Sequence, residues 1–192
     1  MFYLPLTADL SLRLLLPEHA PALFVVVDAN RDHIRPWLPW VDATKTSDDT
    51  LAFIRKSLGA LAAGEGITAG IFVGQHPIGV LDFHAVSRTN ARAEIGYWLA
   101  CDHQGRGYMT RAVASLVEYG FGPCGLHRIV IKADIYNARS RAIPDRLGFT
   151  LEGIERGTVA KANGGRSDHA VYSLLRNDRR PDIGASRPSA GS

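Results

Sequence analysis

Three extended segments in the middle of the chain constrain the fold most strongly. They are ITAGIFVG at 67–74, HPIGVLDFHAV at 76–86 and ARAEIGYWLA at 91–100, and each contains β-branched or aromatic residues typical of strands. The short connections between them carry glycine, His-Pro and Arg-Thr-Asn, which favour tight turns. Strands joined so closely pair with their chain neighbours in opposite directions, so the segments predict an antiparallel meander.

The segments on either side of the meander alternate between helical and extended patterns. Pro17 and the region of Pro36 bound a predicted helix, and Ser47 or Asp48 can cap the next one. Together with the meander, these segments predict a mixed α+β fold. The remaining predicted elements are a strand at 10–16, helices at 17–34 and 47–64, a helix after Gly107, a strand at 128–135, a helix at 137–148, and strands at 150–159 and 169–175.

The composition sets the number of domains. With 192 residues and 46% hydrophobic content, the chain can bury one substantial core. We therefore expect a single domain over residues 1–176. The segment 177–192 is rich in Arg, Pro, Ser and Gly, which predicts a disordered tail.

Charge and cysteine content exclude several functions. The formal net charge of +3 is too small for a nucleic-acid-binding surface. The apolar run ALFVVV at 22–27 is far too short to span a membrane, and no targeting segment is recognisable. Cys101 and Cys124 are too few for a disulfide framework and are not spaced as metal ligands. These features predict a soluble, cytoplasmic protein without a metal.

A glycine-rich turn precedes the helix after Gly107, and that helix begins without a carboxylate. Helix N-termini usually carry Asp or Glu, because their unpaired N–H groups and the helix dipole make that end positive. Here Arg106 and Arg111 flank Gly105 and Gly107 instead. This arrangement predicts a bound anion, and phosphate is suited to such a site. The alternative is a simple tight turn with both arginines in water.

Two common phosphate-binding folds do not fit this turn. A P-loop requires a Lys-Ser/Thr pair after its second glycine, and the segment contains none. A dinucleotide-binding fold requires a third glycine, where Thr110 stands, and usually a parallel sheet. Asp134 could serve as the ribose-binding acid of that fold, but the antiparallel meander argues strongly against it.

The turn resembles the pyrophosphate-binding motif of the GNAT superfamily of acyl-CoA-dependent N-acetyltransferases. Gln104 and Gly107 match its first two fixed positions, whereas Met109 departs from the third, which is glycine or alanine in the family. The segment NARSRAIPDRLGF at 137–149 is similar to the family's helix that begins with asparagine and ends in Leu-Gly-Phe.

Further motifs are similar to one branch of this superfamily, the Rim-type ribosomal-protein N-acetyltransferases. These motifs are NRDHIRPWLPWVD at 30–42, GYWL at 96–99, QGRGYMT at 104–110 and RLGFTLEG at 146–153. The resemblance covers roughly residues 8–175.

The resemblance implies a GNAT fold that uses acetyl-CoA as co-substrate. In this fold a mixed, mostly antiparallel sheet with helices on both faces splays between the strands at 91–100 and 128–135. The pantetheine arm adds to the edge of the first of these strands, whose backbone N–H groups also face the thioester carbonyl. The cofactor-binding residues implied are Trp98, Leu99, Ala100, Gln104, Gly105, Arg106, Gly107, Tyr108, Met109, Thr110 and Asn137.

The same family often places a tyrosine seven residues after the helix asparagine, where it protonates the departing thiolate. That position is Pro144 in this chain. Ser140 is the nearest remaining hydroxyl, and we expect it to donate a hydrogen bond or proton to the sulfur while Asn137 fixes the pantetheine or a water. The alternative is that both residues only cap the helix.

Three residues on the strands leading to the cleft are candidates for the general base. Glu94 is favoured because it shares a strand face with Gly96 and Trp98 if no bulge intervenes. Its alternative role is an exposed ion pair with an arginine. Asp82 and His84 are weaker candidates, since a single strand histidine is more often structural.

The acceptor is predicted from the chemistry of amines beside the resemblance. The sequence shows neither a carboxylate cluster nor a conspicuous base, so an α-amine, which loses its proton more readily than a lysine, is favoured. Trp37 and Trp40 could wall a peptide groove, or else pack onto the sheet or at a homodimer contact. We therefore expect acetylation of the N-terminus of a ribosomal protein. A small-amine acetyltransferase and a non-catalytic acyl-CoA-binding module are the alternatives.

Overall fold

The computed structural model describes residues 2–161, 164–178 and 181, and their strands form one eight-stranded sheet. The strands are β1 (Tyr3–Pro5), β2 (Leu10–Leu14), β3 (Ile67–Val73), β4 (His76–Ser87), β5 (Arg92–Leu99), β6 (Arg128–Asp134), β7 (Thr150–Ala160) and β8 (Arg166–Leu175). The sheet order is β1-β2-β3-β4-β5-β6-β8-β7. β5 and β6 run parallel, and all other neighbours are antiparallel. The predicted meander is confirmed as β3, β4 and β5.

Five α-helices lie between these strands in the described residues. They are α1 (Ala20–Ala29), α2 (Arg31–Ile34), α3 (Ser47–Ala63), α4 (Tyr108–Phe121) and α5 (Ala138–Arg146). Single turns of 3-10 helix occur at Pro17–His19, Pro39–Asp42 and Cys101–His103. The predicted fold class is confirmed.

Three details differ from the sequence-based expectation. The helix predicted at 17–34 is divided at Asn30, and the short edge strand β1 was not predicted. The cap of α3 is Thr46 rather than Ser47 or Asp48. Thr46 accepts a hydrogen bond from the Asp49 N–H at 3.3 Å, and the Asp49 carboxylate accepts one from the Thr46 N–H at 2.9 Å. This reciprocal pair satisfies two N–H groups and therefore outcompetes a cap by either neighbour.

The sheet has a hydrophobic core on each face. Successive strand residues point to opposite faces, so Leu81 packs with the cluster beneath α4 and α5, whereas Val80 packs with the cluster beneath α1 and α3. In the same way, Tyr97 of β5 packs toward α4 and α5, and Trp98 packs toward α1 and α3. β5 therefore places the Tyr97 phenol on one face of the sheet and the Trp98 indole on the other.

The tail predicted at 177–192 lies outside the described residues except for Asn177, Asp178 and Pro181. None of the helices in the described part of the chain is long and apolar enough to cross a bilayer.

Candidate active site

β5 and β6 separate part-way along their length. They pair only over Arg92–Ile95 of β5, and beyond this point β5 continues to Leu99 with β4 as its one strand neighbour among the described residues. The backbone groups of 96–99 that point away from β4 therefore border an opening. This confirms the predicted splay of the sheet. Trp98 and Leu99 lie on the stretch that borders the opening, and Ala100 follows it directly.

The turn after β5 has a left-handed backbone at both of its glycines. The backbone angle φ is 75° at Gly105 and 74° at Gly107, a conformation that other residues rarely adopt. A Cβ atom built at either glycine would meet no atom within 4 Å, so this surface of the turn is open. Gly107 is the N-cap of α4, and neither a side-chain cap nor an acidic residue occurs in the first turn. The backbone N–H groups from Tyr108 to Thr110 are therefore free of capping side chains.

The side chains of the turn provide fewer groups for binding an anion than its backbone does. Met109 is only 7% exposed and packs into the core, so its backbone alone can contact a ligand. Thr110 Oγ1 accepts a hydrogen bond from Arg146 at 3.3 Å. Arg106 and Arg111 are exposed and have no ion-pair partner in the described part of the chain.

Helix α5 adds two cations that were not predicted to lie near the turn. Arg139 donates to the Gln104 side-chain oxygen at 2.7 Å, and Arg146 reaches Thr110 from the same helix. These arginines follow the turn by more than thirty residues, so only the packing of α5 beside α4 brings them together. Four arginines therefore surround the glycine turn, and the first helical turn of α4 contains no acidic residue.

Gln104 connects three elements around the turn. Its Nε2 lies 2.6 Å from His33 Nε2 and donates to the Leu99 carbonyl at 3.2 Å, while its Oε1 accepts from Arg139. Because an amide nitrogen only donates, His33 Nε2 accepts, which places the proton of a neutral His33 on Nδ1. The side chain of Gln104 therefore fixes the turn against α2 and α5.

Asn30 explains why the predicted first helix is divided. Its side chain is buried, donates to the Val26 carbonyl at 2.8 Å and accepts from the Cys101 N–H at 2.8 Å. This second bond ties the start of α2 to the end of β5. Sequence patterns did not identify the role of Asn30, because its partner lies 71 residues away.

Asn137 and Ser140 meet Tyr97 on the α5 side of the opening. Asn137 Oδ1 accepts from the Ser140 N–H at 3.1 Å, so its side chain caps α5. The Ser140 hydroxyl donates to the Tyr97 hydroxyl oxygen at 3.2 Å, and the Tyr97 hydroxyl donates to the Ser140 carbonyl at 2.9 Å. Burial raises the pKa of Tyr97 above its usual value, so the phenol keeps its proton. Tyr97 was not predicted as a site residue.

Asp82, His84 and Glu94 lie on the opposite face, beside the opening. His84 Nδ1 lies 2.6 Å from Asp82 Oδ1, and His84 Nε2 lies 3.8 Å from Glu94 Oε2. The hydrogen bond to Asp82 raises the pKa of His84, although burial opposes this effect. Gly96 makes room for the pair, since a Cβ there would lie 3.1 Å from both Asp82 Oδ1 and His84 Cε1.

Glu94 is also held by a lysine from the next strand. Lys132 Nζ lies 3.5 Å from Glu94 Oε1 and 3.0 Å from Glu155 Oε1. The ion pair expected as an alternative role for Glu94 is therefore present, with a lysine in place of an arginine. No carboxylate cluster is recognisable along the sequence, but the fold places three carboxylates around His84 and Lys132. Asp82, Glu94 and Glu155 come from three strands that only the folded sheet brings near one another.

The two tryptophans of the segment 30–42 have different surroundings. The Trp40 ring lies 6.2 Å from the Trp98 ring and is 40% exposed. Trp37 is half-buried and stacks with no aromatic ring in the described part of the chain. Only Trp40 is therefore placed against the strand that borders the opening.

Among the described residues, no group of three or more His, Cys, Asp or Glu side chains could hold a metal ion.

Comparison with known proteins places this arrangement in a family. Residues 9–150 match the acetyltransferase (GNAT) domain. The chain is 32% identical over 182 residues to the Bacillus subtilis protein YdaF, covering 93% of this chain and 97% of YdaF. It is 30% identical over 145 residues to the ribosomal-protein-serine acetyltransferase of Escherichia coli, covering 76% of this chain and 81% of that protein.

A solved structure gives the same result for the fold. The ribosomal alpha-N-protein acetyltransferase RimL in complex with coenzyme A superposes with a TM-score of 0.87 and 29% identity, covering 91% of this chain and 98% of RimL. In sequence and in overall fold, the chain agrees with N-acetyltransferases of this family. The chain therefore belongs to the GNAT family of acetyl-CoA-dependent N-acetyltransferases.

Proposed function

We propose that this acetyltransferase modifies the N-terminal α-amine of a protein, and that its acceptor is a ribosomal protein beginning with a small residue such as Ser or Ala. Similarity to the ribosomal-protein-serine acetyltransferase over 76% of the chain supports this acceptor. The observation that carries the mechanism is the opening between β5 and β6, which has the Ser140 hydroxyl on one side and the His84 imidazole on the other.

Acetyl-CoA supplies an acetyl thioester and an anionic pyrophosphate. We assign the pyrophosphate to the backbone of the turn 104–110, with Arg106, Arg111, Arg139 and Arg146 as the surrounding cations. The backbone of β5 at Trp98 and Leu99 would pair with the pantetheine amides and polarise the thioester carbonyl. These strand groups are fixed before the cofactor binds, so little reorganisation is needed.

Ser140 is the proposed donor to the sulfur that leaves. Its hydroxyl points to the α5 side of the opening and is held by Tyr97 at 3.2 Å. A thiolate is a stronger acceptor than a neutral phenol, so the hydroxyl hydrogen would turn toward it. Asn137 holds the Ser140 N–H and so fixes the position of the residue.

His84 is the proposed base, in preference to Glu94. Its Nδ1 is bonded to Asp82, which leaves Nε2 as the acceptor of a neutral imidazole. The Glu94 carboxylate is already engaged by Lys132 at 3.5 Å, whereas His84 Nε2 has no hydrogen-bond partner among the described residues. Through its 3.8 Å contact with His84, Glu94 would instead stabilise the imidazolium that forms.

The choice of an α-amine follows from the proportion of neutral acceptor. A protein α-amine has a pKa near 7.8 and a lysine near 10.4, so at pH 7.5 about a third of the former but only about 0.1% of the latter is neutral. A histidine base cannot readily overcome this difference of roughly 3 kcal/mol. The carboxylates near His84 are partly neutralised by Lys132, so they form no strongly acidic pocket for a polyamine.

The proposed acceptor also sets where the protein acts. Ribosomal proteins are synthesised by ribosomes in the cytoplasm, so we propose that this protein also acts there. A homodimer stays a prediction, and neither nucleic acid nor membrane is part of the proposed function.

The test compares two acceptor peptides of one sequence. The first has a free N-terminal serine and a blocked lysine, and the second has a blocked N-terminus and a free lysine. At pH 7.5 we expect kcat/KM to be at least about 100-fold higher for the first, because of its neutral fraction. Mass spectrometry of the products locates the acetyl group. Equal or better activity on the lysine peptide, or activity only on polyamines or aminoglycosides, would contradict the proposal and favour a small-amine acceptor.

A further inference from the structure

Helix α5 contains a proline where a regular helix needs an N–H group. Pro144 lies inside Ala138–Arg146 and is buried. In an α-helix, the N–H of residue 144 would donate to the carbonyl of Ser140, four residues earlier, and proline has no N–H to give. The proline therefore leaves the Ser140 carbonyl without its helical partner.

Tyr97 supplies the missing donor from β5. Its hydroxyl donates to the Ser140 carbonyl at 2.9 Å, and the same oxygen accepts the hydrogen bond from Ser140 Oγ at 3.2 Å. One atom of Tyr97 thus holds both the backbone and the side chain of Ser140. The third polar group of Ser140, its N–H, is held by Asn137.

The Tyr97 ring is well fixed for this purpose. It packs against the core cluster formed by the sheet, α4 and α5, so its hydroxyl has little freedom to move. Because burial raises the pKa of the phenol, it retains the proton that it donates to the Ser140 carbonyl at neutral pH.

We infer that Tyr97 is the positioning residue for Ser140 through the Ser140 hydroxyl, and that the same Tyr97 hydroxyl satisfies the Ser140 carbonyl that Pro144 leaves without a helical donor. The inference rests on the proposed role of Ser140 as donor to the leaving sulfur. A serine hydroxyl without such a partner samples several rotamers, and each wrong rotamer lowers the fraction of productive complexes.

The first test is a double-mutant cycle on kcat, measured under conditions where chemistry limits turnover. Ser140→Ala should lower kcat about 100-fold, the low end for loss of a positioned acid. Tyr97→Phe, which removes one oxygen atom, should lower kcat about 10-fold. If Tyr97 acts through Ser140, the double variant should equal Ser140→Ala alone. KM for acetyl-CoA should change less than about twofold in each variant.

The second test separates positioning from helix stability. Tyr97→Phe leaves the Ser140 carbonyl unsatisfied, so Tm should fall by about 3–6 °C. Adding Pro144→Ala restores the backbone N–H, so the double variant should recover the Tm of Pro144→Ala alone. Its kcat should nevertheless stay about 10-fold below that of Pro144→Ala, because the new N–H cannot hold Ser140 Oγ.

Three results would overturn the inference. An unchanged kcat in Tyr97→Phe, additive losses with Ser140→Ala, or recovery of kcat together with Tm in the Pro144→Ala background would each reduce Tyr97 to a helix-completing residue. If the wild-type protein releases no thiol with any amine, the proposed function and the inference fail together. If it is active and Tyr97→Phe is equally active, the inference alone fails.

Discussion

A glycine on β5, Gly96, leaves space for the Asp82–His84 pair that contains the proposed base. Gly96 lies opposite Asp82 on β4, and a Cβ atom there would lie only 3.1 Å from both Asp82 Oδ1 and His84 Cε1, so the pair would have to shift. Sequence alternation predicts that Asp82 and His84 share a face of their strand. It cannot predict that they bond to each other, because the space for this pair depends on which residue of β5 lies opposite, and that residue is Gly96. The preference for His84 over Glu94 as the proposed base likewise depends on the fold, because Lys132, the partner of Glu94, lies on another strand.

The raised pKa of His84 gives a prediction for the pH dependence of kcat/KM. Only the neutral imidazole accepts a proton, so kcat/KM should fall as pH decreases through this raised pKa. Asp82→Asn removes the largest cause of the shift, and the acid limb should then move to lower pH. The acceptor amine titrates identically in both proteins, so the comparison isolates His84.

The measurement is kcat/KM for one peptide between about pH 5.5 and pH 8.5 at saturating acetyl-CoA. Asp48→Asn is the matched control, because it removes one exposed carboxylate from the start of α3. Its profile should coincide with that of the wild type. An acid limb that does not move in Asp82→Asn would show that His84 is not the base.

At the scale of elements, the turn and α4 were predictable as a unit. Their sequence signals are local, because the segment from Gln104 to Arg111 contains both glycines and both arginines and has no carboxylate. The contribution of α5 was not predictable. Arg139 and Arg146 reach the turn only through the packing of α5 beside α4, and the proline within α5 is explained only by Tyr97 on β5.

The open left-handed turn predicts a specific effect of Gly107→Ala on coenzyme A binding. The added methyl group would project into the space through which the backbone approaches the pyrophosphate, so affinity should fall at least about 10-fold. The left-handed backbone also costs about 1 kcal/mol of stability. Calorimetry with coenzyme A and thermal unfolding measure the two effects separately.

Gly125→Ala controls for the backbone strain. Gly125 also has a positive φ, of 66°, and a Cβ there would likewise meet no atom within 4 Å. It follows the far end of α4, about 20 Å from Gly107 by the rise of a 14-residue helix. This variant should show a similar loss of stability and unchanged affinity for coenzyme A. Equal affinities in the two variants would argue against binding of the pyrophosphate at the turn.

For the whole molecule, the sheet divides the proposed reaction between its two faces. Tyr97, Ser140 and the cofactor turn lie toward α4 and α5, whereas His84 and Trp40 lie toward the face that carries α1 and α3. The fold class was predictable because the spacing of the strands and the residues of the turns between them are local features of the sequence. The division of roles was not, because it arises from alternation along β5 after that strand separates from β6.

This division predicts that acceptor and donor affinities respond to different residues. Trp40 borders the opening beside Trp98, on the same face as the proposed base His84, and we assign this face to the acceptor. Trp40→Ala should therefore raise KM for a peptide acceptor about 10-fold, equivalent to about 1.4 kcal/mol of lost aromatic contact. KM for acetyl-CoA should stay unchanged, because the cofactor turn leads into α4, which covers the opposite face of the sheet.

Phe53→Ala supplies the matched control. Phe53 lies on α3 and is 42% exposed, close to the 40% of Trp40, so both variants remove a similarly exposed aromatic side chain. Phe53 is not placed at the opening, and its loss should change neither KM. Steady-state kinetics with each substrate varied in turn decide the matter. If Trp40→Ala raises KM for acetyl-CoA instead, or if Phe53→Ala raises the peptide KM equally, the acceptor does not bind on the face assigned to it.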